Sequence, residues 1–98
     1  MFLITGGKGF QLTFANGYTV SVQFGYGNYC DNKDDSSVMG CHKHGAVVSK
    51  TAEVAYWHPN INDGGLIELP ETGDTVAGYL DTEQVFAFIQ EVKNRPIP

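Results

Sequence analysis

Basic residues and cysteines are scarce in this sequence. Only six of its 98 residues are Lys or Arg, against eleven Asp and Glu, and two are Cys. The longest uninterrupted apolar run covers five residues, 85–89, far short of the roughly 20 that a membrane-spanning helix needs. Residues 1–4 are apolar with no basic residue before them, so we expect no secretory signal peptide. These absences predict a cytoplasmic chain that does not contact membranes.

Aromatic residues make up 12% of the chain and charged residues 17%. This composition holds too much apolar mass and too little charge repulsion for intrinsic disorder. A chain of this length buries about 60–65% of its unfolded surface, which is enough for one compact core. We therefore predict a single domain spanning residues 1–98.

Charge is distributed unevenly along the chain. Residues 1–50 hold four Lys and three Asp, a net charge of +1, whereas residues 51–98 hold two basic and eight acidic residues, a net charge of −6. No Lys or Arg lies between Glu53 and Glu91. Such a stretch repels nucleic-acid phosphates and accelerates association with a cationic partner, although acids also serve as ordinary solubilising surface. The candidate contacts with a cationic protein surface are Asp63, Glu68, Glu71 and Asp74.

Two segments that alternate apolar and polar residues, 10–14 and 18–24, predict neighbouring strands. A two-residue turn at Asn16-Gly17 would place their large apolar side chains on opposite faces of the sheet. A three-residue loop, 15–17, places them on one face, so we predict a type I turn with a G1 bulge and a left-handed Gly17. The predicted cross-strand pairs are Phe14 with Tyr18, Leu12 with Val20 and Phe10 with Val22.

The C-terminal segment predicts a helix. Asp81 is a good N-cap residue, and Gln84 follows at the spacing of a capping box. The apolar side chains that share one face at the helical period are Val85, Phe88, Ile89 and Val92. Asn94 and Pro96 end the helix, and its apolar stripe has only a sheet to pack against.

Further strands are predicted over residues 2–5, 46–48, 52–57, 66–69 and 75–80. The sequence therefore predicts an α+β fold, an antiparallel β-meander sheet of four to six strands with one C-terminal α-helix packed on it. A long polar loop, residues 25–45, interrupts this order. Loops of this length inside compact domains are usually functional or disordered.

The long loop contains four potential metal ligands, Cys30, Cys41, His42 and His44. Two thiols and two imidazoles form a ligand set for tetrahedral zinc. Their spacing is not that of a standard zinc finger, and two adjacent ligands chelate one ion awkwardly. The simpler alternative is two free cysteines and surface histidines, and a Cys30–Cys41 disulfide is a further alternative if the protein leaves the cytosol. We therefore predict no obligatory cofactor and keep zinc as the alternative.

Several aromatic residues are candidates for a binding surface. If residues 25–30 lie beside the end of the 52–57 strand, Tyr26 and Tyr29 come close to Trp57. Aromatic rings with polar tips suit a protein–protein anchor or a nucleobase pocket. Packing of the inward-pointing rings into the core is the competing interpretation.

Part of the sequence resembles a group of viral proteins. The segment GFQLTFANGYTVSVQFG at 9–25, followed by GNYCDN at 27–32, is similar to small accessory proteins of bacteriophages and prophages. The segment VAGYL at 76–80, with EQV at 83–85, resembles their C-terminal part. The resemblance carries no known activity and transfers no site residue. By analogy of size and charge, small acidic phage proteins often act by stoichiometric binding, as in anti-CRISPR proteins and other inhibitors of host defence.

We therefore predict a non-enzymatic binding protein that inhibits a bacterial host target through its acidic surface and aromatic loop. One alternative is a protein that sequesters a nucleotide-like small molecule with the 25–45 loop and Trp57. A second alternative is a zinc-ordered interaction module. No acid, base and nucleophile can be placed together, which leaves an enzyme least supported. An open sheet edge would also allow a homodimer.

Overall fold

A computed structural model describes residues 1–35 and 48–98 of the chain. It contains a five-stranded sheet in the order β1-β2-β3-β4-β5, in which every neighbouring pair is antiparallel, and one C-terminal helix. This arrangement confirms the α+β meander. The elements are β1 Phe2–Ile4, β2 Gly9–Thr13, β3 Thr19–Gln23, β4 Ala52–Trp57, β5 Ala77–Leu80 and α1 Thr82–Lys93.

The β2–β3 hairpin has the three-residue loop that the pattern of apolar residues predicts. Leu12 pairs with Val20 and Phe10 with Val22, while the Phe14 amide donates to the Tyr18 carbonyl at 2.9 Å. Gly17 has a φ of +90°, as a G1 bulge requires. This register places the large apolar side chains of both strands on the face that α1 covers.

The core lies between that face and the helix. Its buried side chains are Tyr18, Val20, Val22, Ala52, Val54, Tyr56, Leu69 and Val92. From α1, Val85, Phe88 and Ile89 pack against this cluster, which confirms the predicted helical stripe. The helix contacts β3, β4 and β5, so the β1–β2 side of the same face extends beyond it.

Both ends of α1 are fixed by side chains. At the N-terminus, the Asp81 carboxylate accepts from the Gln84 amide and the Gln84 side chain accepts from the Asp81 amide, each at 2.9 Å. This is the predicted capping box. At the C-terminus, the Asn16 side-chain amide donates to the carbonyl oxygens of Val92, Lys93 and Arg95 at 2.9, 3.2 and 3.0 Å. The β2–β3 turn therefore caps the last turn of the helix, whose carbonyls have no partner within it.

The prediction of a strand over residues 66–69 was wrong. Leu66 forms only an isolated bridge with Trp57, and Leu69 forms another with Asp74. Between them the Ile67 amide donates to the Tyr56 carbonyl at 3.0 Å. Pro70 follows immediately, so the chain leaves the edge of β4 after a few contacts, and pairing with β4 resumes only at Ala77.

The opposite face of the sheet is polar. Thr13 and Thr19 share a hydroxyl–hydroxyl hydrogen bond of 2.9 Å across β2 and β3. Gln23 accepts from the Thr5 hydroxyl at 2.8 Å and donates to Ser21 at 3.1 Å. These groups satisfy one another laterally, and Thr19 and Ser21 among them are buried, each 8% exposed.

Candidate functional site

Three of the four predicted acidic contacts lie around one turn, residues 69–74. The turn is closed by the Leu69 amide, which donates to the Asp74 carbonyl at 2.7 Å, and by the Gly73 amide, which donates to the Leu69 carbonyl at 2.8 Å. Gly73 adopts a φ of +69°, the left-handed conformation that glycine accepts without strain. The turn thus carries Glu71 and Asp74, and Glu68 directly precedes it.

These three acids are exposed, but they are not equally free. The Asp74 carboxylate accepts from the Thr75 amide at 2.7 Å and so stabilises its own turn. A Glu68 carboxylate oxygen lies 3.9 Å from the position that a Cβ on Gly73 would occupy, which places this side chain over the turn. Glu68 and Glu71 are therefore the acids best suited to meet a ligand, and Asp74 also has a structural role.

A groove runs between this turn and α1. Its volume is about 350 Å³. Apolar side chains, including Val54, Leu69 and Phe88, form part of its wall, and Glu71 and Glu91 line it from opposite sides. We call this site the acidic groove; its lining residues are Val54, Leu69, Pro70, Glu71, Thr72, Ala77, Leu80, Gln84, Ala87, Phe88, Glu91 and Arg95.

Among the described residues, Arg95 is the one basic residue that lines the acidic groove, and it is already engaged. Its guanidinium donates to the Tyr56 hydroxyl at 2.8 Å and to the Glu91 carboxylate at 3.1 Å, and it lies 4.8 Å from the centroid of the Tyr56 ring. Burial acts to lower the pKa of Arg95, but the hydrogen bonds to Glu91 and Tyr56 outweigh it and the pKa is raised. The charge of Arg95 is thus permanent and directed inward.

Asp63, the fourth predicted acidic contact, lies elsewhere. It belongs to a short 3-10 helix, Asn62–Gly64, that follows the end of β4. Its φ of +53° is left-handed, a conformation that Asp tolerates better than most residues. The structure therefore groups Asp63 with the β4 terminus and not with the 69–74 turn.

The structure separates the predicted aromatic anchors. The Tyr29 amide donates to the Glu53 carboxylate at 3.1 Å, and the Tyr29 carbonyl accepts from the Tyr79 amide at 2.8 Å. This segment therefore lies beside the start of β4. Trp57 ends that strand, about 13 Å from Glu53 at the usual rise per residue. Tyr26 and Tyr29 are partly exposed, at 38% and 47%, and the binding role of all three aromatics stays a prediction.

The proposed zinc ligands can be traced only in part. Cys30 is buried, and its thiol lies 3.5 Å from the Gly25 carbonyl as a hydrogen-bond donor. Cys41, His42 and His44 lie outside the described residues, as does most of the strand predicted over 46–48. Within residues 1–35 and 48–98, no three His, Cys, Asp or Glu side chains are placed to hold a metal ion.

His58 is a structural residue that the sequence did not reveal. Its Nδ1 accepts from the Asn60 amide at 3.0 Å, so Nε2 carries the proton and donates to the Asn16 carbonyl at 3.0 Å. The ring is buried and packs edge-on against Tyr18 at a centroid distance of 4.8 Å. The His58-Pro59 step after an apolar strand is the sequence signal for a turn here, but nothing in it signals the link to Asn16.

No protein-family model matches this chain, and comparisons with curated proteins and with solved structures find no significant similarity. In the part of the chain that the structure describes, no helix is long and apolar enough to cross a lipid bilayer.

Proposed function

We propose that this chain is a non-enzymatic binding protein that captures a cationic protein surface at the acidic groove. The observation that carries the proposal is that Glu71 on the 69–74 turn and Glu91 on α1 line one apolar-walled groove. Glu68 directly precedes the turn, and its carboxylate lies over Gly73. An apolar centre with a charged rim is the usual anatomy of a protein interface.

The charge of the groove favours a basic side chain as the inserted group. Arg95 is neutralised by Glu91 and turned toward Tyr56, so Glu68 and Glu71 remain without a basic partner among the described residues. An incoming Lys or Arg would bury its aliphatic stem against Leu69 and Phe88 and bring its charged end to the rim. A phosphate-bearing ligand would be repelled there.

The narrower role that we propose is inhibition of a bacterial host target, such as a defence system, by stoichiometric binding. It is supported by the resemblance of residues 9–32 and 76–85 to small phage and prophage proteins. The acidic balance of residues 51–98 suits it, because many host targets that handle nucleic acids present basic surfaces to their substrates.

The test is quantitative capture from a bacterial host lysate with the tagged chain. The variants are Glu68→Lys, Glu71→Lys and the double variant, and the matched control is Asp34→Lys. Asp34 has a side chain that is 94% exposed and pairs with Lys33 at 3.6 Å. Its reversal changes the net charge as much as either single reversal does, at a residue that does not line the groove.

We expect the double variant to lose a specific captured protein at least about tenfold, because reversal converts attraction into like-charge repulsion. Asp34→Lys should retain that protein, and all variants should keep the parent melting temperature. Equal retention by Glu71→Lys and Asp34→Lys, or the absence of any protein retained by the parent, contradicts the proposal.

A further inference from the structure

The outer edge of β1 presents unpaired backbone groups. Met1 and Thr13 exchange two hydrogen bonds of 3.0 and 2.9 Å, and the Thr5 amide donates to the Gly9 carbonyl at 3.1 Å. Antiparallel pairing alternates, so Met1, Leu3 and Thr5 direct their amides and carbonyls toward β2. Phe2 and Ile4 must therefore direct theirs outward, where no strand of the described chain pairs with them.

The same two residues carry the most exposed apolar side chains of the sheet. Phe2 is 81% exposed and Ile4 is 79% exposed. They pair with Leu12 and Phe10 and so lie on the face that α1 covers farther along the sheet. Single exposed apolar residues are normal, but two flanking an open hydrogen-bonding edge are a template for strand addition.

The other edge of the sheet is protected. The β4–β5 register shifts between Ala52 and Val54, and Tyr79 on β5 has a φ of +58°. Bulges of this kind blunt an edge strand against further pairing. β1 carries neither a bulge nor a charged residue, and Lys8 is the only charged side chain in residues 1–30. This edge therefore does not repel a second acidic chain.

We propose that β1 pairs with β1 of a second copy in antiparallel register about Leu3. The segment Phe2-Leu3-Ile4 is nearly palindromic in size and apolarity, so a two-fold axis through Leu3 places Phe2 opposite Ile4 of the partner subunit. Each such pair exchanges two hydrogen bonds. The two pairs together use both amides and both carbonyls that each chain directs outward from Phe2 and Ile4. A foreign strand would need a matching short apolar segment, whereas the second copy supplies it by symmetry.

The proposed dimer joins two sheets into one of ten strands. The axis is perpendicular to the sheet, so both helices lie on the same side and the exposed Phe2 and Ile4 side chains meet between them. Each acidic groove borders β4 and β5, and the two grooves therefore lie toward the outer ends of the dimer. The dimer is thus independent of the proposed function and would make binding bivalent.

Oligomeric state and register are tested separately. The mass of the full chain is measured by sedimentation over a concentration series, with Ile4→Lys as the test variant and Ile97→Lys as the matched control, since Ile97 is also exposed, at 73%. Register is tested by mild oxidation of Leu3→Cys and Phe2→Cys, each in a Cys41→Ser background. The axis places the two Leu3 residues about 4.5 Å apart at Cα, whereas the two Phe2 residues lie about 8 Å apart, beyond the reach of a disulfide.

We expect the parent and Ile97→Lys to reach twice the monomer mass of 10.7 kDa, and Ile4→Lys to raise the dimer dissociation constant at least about tenfold. Leu3→Cys should form a covalent dimer and Phe2→Cys should not. A parent chain that stays monomeric, a dimer that survives Ile4→Lys, or equal cross-linking of the two cysteine variants overturns the proposal. Loss of the dimer with capture intact would leave the proposed function standing.

Discussion

At the scale of single residues, Gly17 is constrained by two separate effects. Its φ of +90° is left-handed, and a Cβ on it would lie 2.5 Å from Nε2 of His58. Gly27 provides the matched comparison, because its φ is +86° and a Cβ there meets nothing within 4 Å in residues 1–35 and 48–98. The two glycines thus share the backbone requirement, and only Gly17 has the steric one.

We expect Gly27→Ala to lower the free energy of unfolding by about 1–2 kcal/mol, the cost of a left-handed alanine. Gly17→Ala should cost about 1–3 kcal/mol more, because His58 must move and its bond to Asn16 is lost. Urea denaturation of both variants measures the difference. Equal losses would show that the His58 contact contributes nothing.

A second residue-scale prediction concerns Arg95 and Tyr56. Tyr56 is 2% exposed, and its hydroxyl accepts from the Arg95 guanidinium. A double-mutant cycle with Arg95→Met and Tyr56→Phe should give a coupling energy of about 1–2 kcal/mol in the free energy of unfolding. The neighbouring pair with Glu91 is exposed, so Glu91→Gln should cost less than about 0.5 kcal/mol.

This coupling should not depend on pH in the neutral range. The pKa of Arg95 is raised in the folded chain, with burial opposing the hydrogen bonds that raise it. A raised pKa contributes stability that is fully present below the unfolded value and is lost only as the pH rises through the folded one. For arginine both lie far above neutrality, so the cycle should give the same coupling energy at pH 6 and pH 8, within about 0.3 kcal/mol. A coupling that disappears over this range would contradict the assignment of the donor.

At the scale of elements, the β2–β3 turn and the end of α1 stabilise each other. Asn16 Nδ2 donates to the carbonyls of Val92 and Lys93 in the last turn of the helix and of Arg95 just beyond it. Asn16 Oδ1 accepts from the Tyr18 amide at 3.1 Å. Asn16→Asp keeps the acceptor for Tyr18 but replaces the donor with an anion that faces carbonyl oxygens. It thereby separates the helix contact from the turn.

We expect Asn16→Asp to lower the free energy of unfolding by about 2–3 kcal/mol, because three carbonyls lose a donor. Asn60→Asp, at an exposed side chain, should change it by less than about 0.5 kcal/mol. Chemical denaturation followed by far-UV circular dichroism measures both. A loss no greater than that of the control would mean that the turn does not hold the helix.

Elements were predictable from sequence where local chemistry decides them. The requirement that the large apolar side chains share one face of the sheet predicted the pairing of Leu12 with Val20. The capping box of Asp81 and Gln84 predicted the start of α1. The same reasoning failed at residues 66–69, because three apolar residues around Glu68 carry no local signal that separates a strand from a brief contact with β4. Whether Pro70 ends a strand or a single bridge is a tertiary outcome.

The candidate site was predictable in composition but not in arrangement. Counting charges identified Glu68, Glu71 and Asp74, and the turn at Gly73 brought them together. The placement of Trp57 far from Tyr29 depends on which end of β4 the 25–35 segment meets, and sequence alone does not specify that. The acidic groove itself needs α1 packed on β4, a contact between distant parts of the chain.

At the scale of the whole molecule, charge and apolar surface are segregated. Residues 1–30 contain strands β1 to β3 and carry a single charged side chain, Lys8. Most acidic residues lie later in the chain, toward β5 and α1. The protein therefore has an uncharged apolar edge at β1 and an acidic groove on the β5 side of the sheet. The proposed dimer interface at β1 and the proposed binding site at the acidic groove therefore lie at opposite edges of the sheet, so the two proposed interactions would not compete.

The measurement that addresses the acidic groove most directly is the ionic-strength dependence of binding to the protein that the parent chain captures. With that protein purified, the dissociation constant of the parent should rise at least about tenfold between about 50 and 300 mM NaCl, since salt screens the attraction. For the Glu68→Lys, Glu71→Lys double variant the constant should already be high and should change little with salt. A parent dissociation constant that is independent of salt, or one that the double variant shares, would contradict the account.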